Sequence, residues 1–156
     1  MNIIFLDIDG VLYTTKYYNY LSLKHKKFRD KYGFLFDPEC VSNFNEIIEK
    51  TGAKVVISST WRISGLDIMR DLFKDRGIKG DIIDLTPIAT IDDLFFCRGE
   101  EIEQWLIVNG MPDKFVVLDD CSIGDGYDNW KGYIKTEMST GITNEIKNTV
   151  IKYLNE

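Results

Sequence analysis

Histidine is almost missing from this sequence, with His25 alone, and cysteine is scarce: Cys40, Cys97 and Cys121, odd in number and far apart. No Cys-x-x-Cys pair occurs, so a structural zinc site is not expected, and a reducing, cytoplasmic setting is. No apolar run approaches the roughly 20 residues that a membrane helix needs. The first residues lack a basic region followed by a long apolar core, so a signal peptide is not expected either. Excess positive charge is also absent. The net charge is −6, which argues against broad, sequence-independent binding to a nucleic-acid duplex. What remains is 156 residues, 44% apolar and 13% aromatic. That is the composition of one globular domain, 1–156, long enough to bury a core.

The charge is unevenly spread. Residues 13–36 hold Lys16, Lys24, Lys26, Lys27, Arg29 and Lys31 against one acid, Asp30, giving +5 and leaving −11 for the rest of the chain. The same stretch carries Tyr13, Tyr17, Tyr18, Tyr20, Phe28, Tyr32, Phe34 and Phe36. Bases interleaved with aromatics can follow phosphates and stack on nucleobases. The alternative is a mobile or helical insert whose aromatics pack on the domain while its lysines face water.

The chain is organised around Met1 to Leu12, MNIIFLDIDGVL. Asn2 to Leu6 is a short apolar run closed by Asp7-Ile8-Asp9-Gly10, the pattern of a parallel strand buried on both faces. The insert follows at about 13–37. Asp37-Pro38 then caps a helix with Val41, Phe44, Ile47 and Ile48 on one face, ended by Thr51-Gly52. Further strands are expected around Val55-Val56-Ile57, over 81–85, at Phe115 to Leu118 and over 133–136. Helices are expected from Ser64 or Gly65, from near Gly99, and after Thr143. Residues 88–97 read as a loop. Strands alternating with helices specify a Rossmann-like, three-layer α/β/α fold. Its sheet is mostly parallel, with about five strands and a small insert after the first.

Three strand ends carry polar clusters: Asp7 and Asp9, Ser58 to Thr60, and Asp119 with Asp120. A parallel sheet places all of them along one edge, where open α/β sheets bind ligands. Arg98, ahead of the helix leading to the Phe115–Leu118 strand, falls at the same edge. Acids, hydroxyls and a cation in one crevice suit a phosphate ester held against Mg²⁺. A carboxylate nucleophile takes a phosphoryl group as an aspartyl-phosphate. A second acid two residues on protonates the leaving oxygen and later activates water. Mg²⁺ offsets the repulsion between carboxylates, and a hydroxyl and a cation neutralise the equatorial oxygens.

These motifs resemble the haloacid dehalogenase superfamily of phosphotransferases over most of the chain. Asp7-Ile8-Asp9-Gly10-Val11 is similar to its first motif. The resemblance implies Asp7 as nucleophile and metal ligand, and Asp9 as general acid/base that also lends its backbone carbonyl to the metal. Val56-Ile57-Ser58 resembles the second motif, implying that Ser58, with Ser59 beside it, binds phosphate. Asp119-Asp120 resembles the fourth, which completes an Mg²⁺ site. The third motif is usually Lys. Here Arg98 is best placed, keeps the charge and adds a two-pronged grip; the competitor Lys114 abuts the opposite edge. Ser58-Ser59-Thr60-Trp61-Arg62 and Arg98-Gly99-x-Glu101-Ile102-x-x-Trp105-Leu106 are similar to a subgroup associated with RNA-repair proteins, implying an end-healing phosphatase.

The expected activity is therefore Mg²⁺-dependent phosphomonoester hydrolysis. The partner is a phosphorylated small molecule or a nucleic-acid end, with no membrane and no obligate protein partner evident. The insert is too short for a full folded cap, so an open site is expected. Trp61 and Arg62 are either substrate contacts or, respectively, a core residue and an ion-pair partner. Asp125 and Asp128 are loop acids or hold metal-bound waters, and Cys121 is expected to be a buried thiol. The competing classes are a receiver-type signalling domain and a non-catalytic phosphate-binding module on the same scaffold, the latter disfavoured by the presence of both Asp7 and Asp9. Receivers place the phosphorylated Asp on a later strand, whereas here an acid/base lies two residues from the nucleophile.

Overall fold

The computed structural model describes residues 1–91 and 94–156. Five parallel strands form the central sheet: β1 (Asn2–Leu6), β4 (Lys54–Ile57), β5 (Ile82–Leu85), β8 (Lys114–Asp119) and β9 (Tyr133–Lys135), in the order β5-β4-β1-β8-β9. β1 is central. From it the chain winds first toward β4 and β5, then crosses to β8 and β9, so the winding direction reverses beside β1. A crevice opens at such a switch point, at the carboxyl ends of the strands.

The continuous apolar character of β1 follows from burial on both faces. Ile4 and Leu6 join one core with Phe44 and Ile47 of α2 (Pro38–Thr51), Met69, Leu72 and Phe73 of α3 (Leu66–Asp75), and Val150 and Leu154 of α5 (Asn144–Asn155). Ile3 and Phe5 point the other way, into a second core with Ile102, Trp105 and Leu106 of α4 (Arg98–Asn109). Alternate side chains thus feed opposite layers. The helix starts follow local chemistry: Asp37 accepts from Glu39 N with Pro38 in the first turn, and Thr143 accepts from Ile146 N.

The insert is ordered. Thr14 caps α1 (Thr15–Leu23), and a hairpin of β2 (Arg29–Asp30) and β3 (Gly33–Phe34) follows. Tyr18, Phe28 and Phe34 form an aromatic cluster that extends to Tyr13. Arg76, just past α3, ties the hairpin down through Asp30 and through the carbonyls of Gly33 and Phe34. Lys24, Lys26, Lys27 and Arg29 are exposed. Most of the insert's aromatics are thus partly or wholly buried and its bases face outward, while Tyr20 is exposed. Two other expectations are corrected. The 88–97 stretch is not simply a loop, because β6 (Thr90–Ile91) and β7 (Leu94–Phe95) pair antiparallel there; residues 92 and 93 of that expected loop lie outside the described residues. α3 starts at Leu66, because a 3₁₀ turn at Thr60–Ser64 precedes it.

Candidate active site

Register brings the polar strand ends level. Leu6 is paired with Ile57 on one side and Leu118 on the other. The next residue of each strand, Asp7, Ser58 and Asp119, therefore emerges in one row. Backbone hydrogen bonds continue the ladder, from Asp7 N to Leu118 O at 3.0 Å and from Ser58 N to Leu6 O at 3.0 Å. All three residues are buried.

The chain must then turn sharply. Leu12 N and Tyr13 N both donate to Ile8 O, and Gly10 N donates to Tyr13 O at 2.8 Å. Gly10 sits at φ +77°, and a Cβ there would lie 2.5 Å from the Asp120 carboxyl carbon. Only glycine provides both the left-handed backbone and the space for Asp120. Thr136, following β9, donates its hydroxyl to Gly10 O at 2.6 Å and holds the turn from the far side. Nothing local in the sequence marks Thr136 for this contact.

Arg98 opens α4, where the Cys97 N–H donates to Glu100 Oε2 at 2.9 Å. Gly99 lets this helix start dock against the 121–132 loop: its N–H donates to Ile123 O at 2.7 Å, and any Cβ would strike the Tyr127 ring. Arg98 Nη1 consequently reaches Asp7 Oδ1 at 3.4 Å and Asp119 Oδ2 at 3.2 Å. Lys114, the competing cation, starts β8 at the other edge and donates to Tyr153 O.

The remaining expected site residues separate by environment. Ser58 Oγ is fully buried and, among the described residues, is the buried side-chain polar atom left without a hydrogen-bond partner. Ser59 Oγ instead accepts from Trp61 N at 3.2 Å and caps the 3₁₀ turn. Trp61 is half-buried, and its indole N–H donates to Asp9 Oδ1 at 3.2 Å. The reading of Arg62 as a substrate contact is corrected. Its guanidinium faces inward, paired with Glu101 and donating to Ser58 O and Thr86 O. The ion-pair alternative is the one found, because a buried guanidinium needs acceptors for most of its donors. Glu101 completes that pair from one turn beyond Arg98; its place within the quoted Arg98–Leu106 pattern was the available signal.

Cys121 is corrected as well: it is exposed, although its backbone N–H donates to Asp119 Oδ1 at 2.9 Å. Asp128 braces its own loop through Ile123 N and Ser122, and Asp125 is exposed.

Electrostatically the site is overloaded with negative charge. Asp119 is pushed up to about 7, first by burial and then by the charge of Asp7, with Arg98 opposing. Burial also raises Asp120, aided by Asp7, and raises Asp9 against the opposing indole hydrogen bond. One guanidinium does not balance this many carboxylates. The donor set fits a hard divalent cation with oxygen ligands. Asp119, Asp120 and Cys121 offer ligand atoms within 4.8 Å of one another, but burial and the neighbouring acids raise the Cys121 thiol, keeping it protonated. Asp7, Asp119 and Asp120 are the side chains suited to hold Mg²⁺.

A parallel sheet with its switch point at a DxD strand end, a row of acid, hydroxyl and acid, and a bridging cation define a haloacid dehalogenase-type domain, from a superfamily rich in hydrolases and phosphatases. Residues 3–146 match the family described as the HAD domain in Swiss Army Knife RNA repair proteins, and the chain belongs to that family. A comparison with curated proteins found no match. Among the described residues, no helix is long and apolar enough to cross a membrane.

Proposed function

We propose that this protein is a Mg²⁺-dependent phosphomonoester hydrolase that works through an aspartyl-phosphate on Asp7, with a nucleotide or polynucleotide end as substrate. The observation that carries the reading is Arg98 Nη1 within 3.4 Å of Asp7 and 3.2 Å of Asp119. It sets the nucleophile, a cation and a second acid around one point. Bound at Asp7, Asp119 and Asp120, with the Asp9 carbonyl, Mg²⁺ would supply charge neutralisation at the phosphoryl oxygens.

The chain's own groups account for the rest. An Asp7 carboxylate oxygen attacks phosphorus. As the Asp7 O–P bond forms, the P–O bond to the leaving group breaks, and Asp9 gives that oxygen its proton. Asp9, now a carboxylate, takes a proton from water. The water oxygen bonds to phosphorus, the Asp7 O–P bond breaks, and inorganic phosphate leaves. Ser58 Oγ, which lacks a partner, and Arg98 are the donors for the equatorial oxygens. The +5 segment beside an acidic body supports a polyanionic substrate, such as a nucleic-acid end, over a small singly phosphorylated one.

The test is hydrolysis of an aryl phosphate with and without Mg²⁺, together with a screen of nucleoside monophosphates, 3′- and 5′-phosphorylated oligonucleotides and sugar phosphates. Activity that requires Mg²⁺ and disappears in Asp7→Asn supports the reading. Undiminished turnover by folded Asp7→Asn removes the nucleophile, and stable phosphorylation of Asp7 without turnover favours a signalling domain.

A further inference from the structure

We infer that Trp61 is the positioning residue for Asp9, and that the insert hairpin holds Trp61 in place; the inference rests on the phosphatase reading above. Asp9 lies beyond the end of β1 and is only half-buried. A side chain there has several staggered rotamers open to it. The indole N–H fixes one of them by donating to Oδ1. Indole is a donor that cannot accept, so Oδ1 is held as an acceptor, which leaves Oδ2 as the oxygen to carry the proton that the proposed function assigns to Asp9.

The indole is itself braced on several sides. Ser59 caps the backbone of its turn. The Phe36 ring lies 5.4 Å from the Trp61 ring, centroid to centroid. Gly33, at the start of β3, passes so close that a Cβ would sit 3.2 Å from the ring. Arg76 grips the hairpin at Asp30, Gly33 O and Phe34 O, and its guanidinium also lies 4.4 Å from the Phe36 ring and 5.9 Å from the Trp61 ring. A continuous set of contacts therefore links the insert to the acid that protonates the leaving group.

The consequence is a dependence on the leaving group. In the first half-reaction the P–O ester bond breaks, the Asp7 O–P bond forms, and the departing oxygen takes the Asp9 proton. An alkoxide needs that proton, whereas the anion of an acidic phenol leaves largely without it. Trp61→Phe keeps an aromatic ring at this position but removes the N–H together with the five-membered ring, so the comparison between two leaving groups, which lost packing would affect equally, isolates the tether.

The experiment compares kcat/KM, which reports phosphoenzyme formation, for ethyl phosphate and 4-nitrophenyl phosphate. General acid catalysis contributes about 10²–10⁴-fold, and a misplaced acid forfeits part of it. Trp61→Phe is expected to lower the alkyl ester at least tenfold more than the aryl ester. Equal losses on the two esters, from an active wild type, overturn the inference alone. A wild type active on neither overturns the phosphatase reading and the inference with it. A second measurement does not need turnover or a folded Trp61→Phe: the ¹H–¹⁵N indole resonance of Trp61 is expected to move upfield in Asp9→Ala. An unmoved resonance overturns the tether.

Discussion

Arg62 and Glu101 meet in an ion pair whose side chains are 4% and 11% exposed. Arg62 also holds Ser58 O, and Glu101 lies on the same helix as Arg98. The pair therefore joins the strand end bearing the phosphate-site serine to the helix bearing the bridging cation. Removing one member of a buried pair leaves an uncompensated charge, at a cost of about 3–5 kcal/mol. Glu101→Ala is expected to lower the urea midpoint accordingly. Replacing both, as in Arg62→Met with Glu101→Leu, should recover much of the loss, while activity stays low because the pair also aligns Ser58 and Arg98.

Asp119 gives a pH dependence of defined sign. Burial and Asp7 push it up to about 7, whereas in the unfolded chain it titrates near the usual carboxylate value of about 3.9. Between these values the folded state keeps a proton that the unfolded state has released. Stability therefore falls as pH rises through this window. In EDTA, the drop in Tm from pH 4.5 to 7.5 should be larger for the wild type than for Asp119→Asn. Adding Mg²⁺ at pH 7.5 should raise the wild-type Tm and raise that of the variant less.

Gly10→Ala forces a Cβ into φ +77° and against the Asp120 carboxyl. The backbone strain alone is of order 1–3 kcal/mol. Because the clash falls on a proposed metal ligand, Mg²⁺ stimulation should fall further than stability does, as read by titrating the ion against initial rate and by thermal melting of the same sample.

The exposed bases of the insert offer a test of substrate class. Lys24, Lys26 and Lys27 changed together to Glu should reduce kcat/KM for a phosphorylated single-stranded oligonucleotide about tenfold or more. The salt dependence should become shallower by about 0.7 in log–log slope for each phosphate that the lysines no longer neutralise. The aryl phosphate rate should fall far less. Equal effects on both substrates would assign the lysines to folding or general electrostatics.

Much of this protein was legible in its pattern. The apolar run before Asp7, the Asp37-Pro38 helix start and the Thr143 cap are local signals, set by burial on both faces of a strand and by orphan N–H groups at helix ends. The acids at two strand ends, the serine at a third and Arg98 were readable for the same reason, since parallel topology sends all strand ends to one edge. Cys121 and Arg62 were harder. Whether a side chain near a strand end or in a tight turn faces inward or outward depends on a partner distant in sequence: Glu101 for Arg62, and the docking of the 121–132 loop for Cys121.

The sequence by itself determined the alternation of strands and helices, the DxD strand end and the chemical identity of the groups gathered there, because periodicity, caps and turn residues act over a few neighbours. Only the tertiary structure decided which of those groups touch. The Leu6–Ile57 and Leu6–Leu118 register levels Asp7 with Ser58 and Asp119, and the Trp61–Asp9 and Thr136–Gly10 contacts span 52 and 126 residues. Contacts across such separations arise from packed layers and strand register, which no local window of residues encodes.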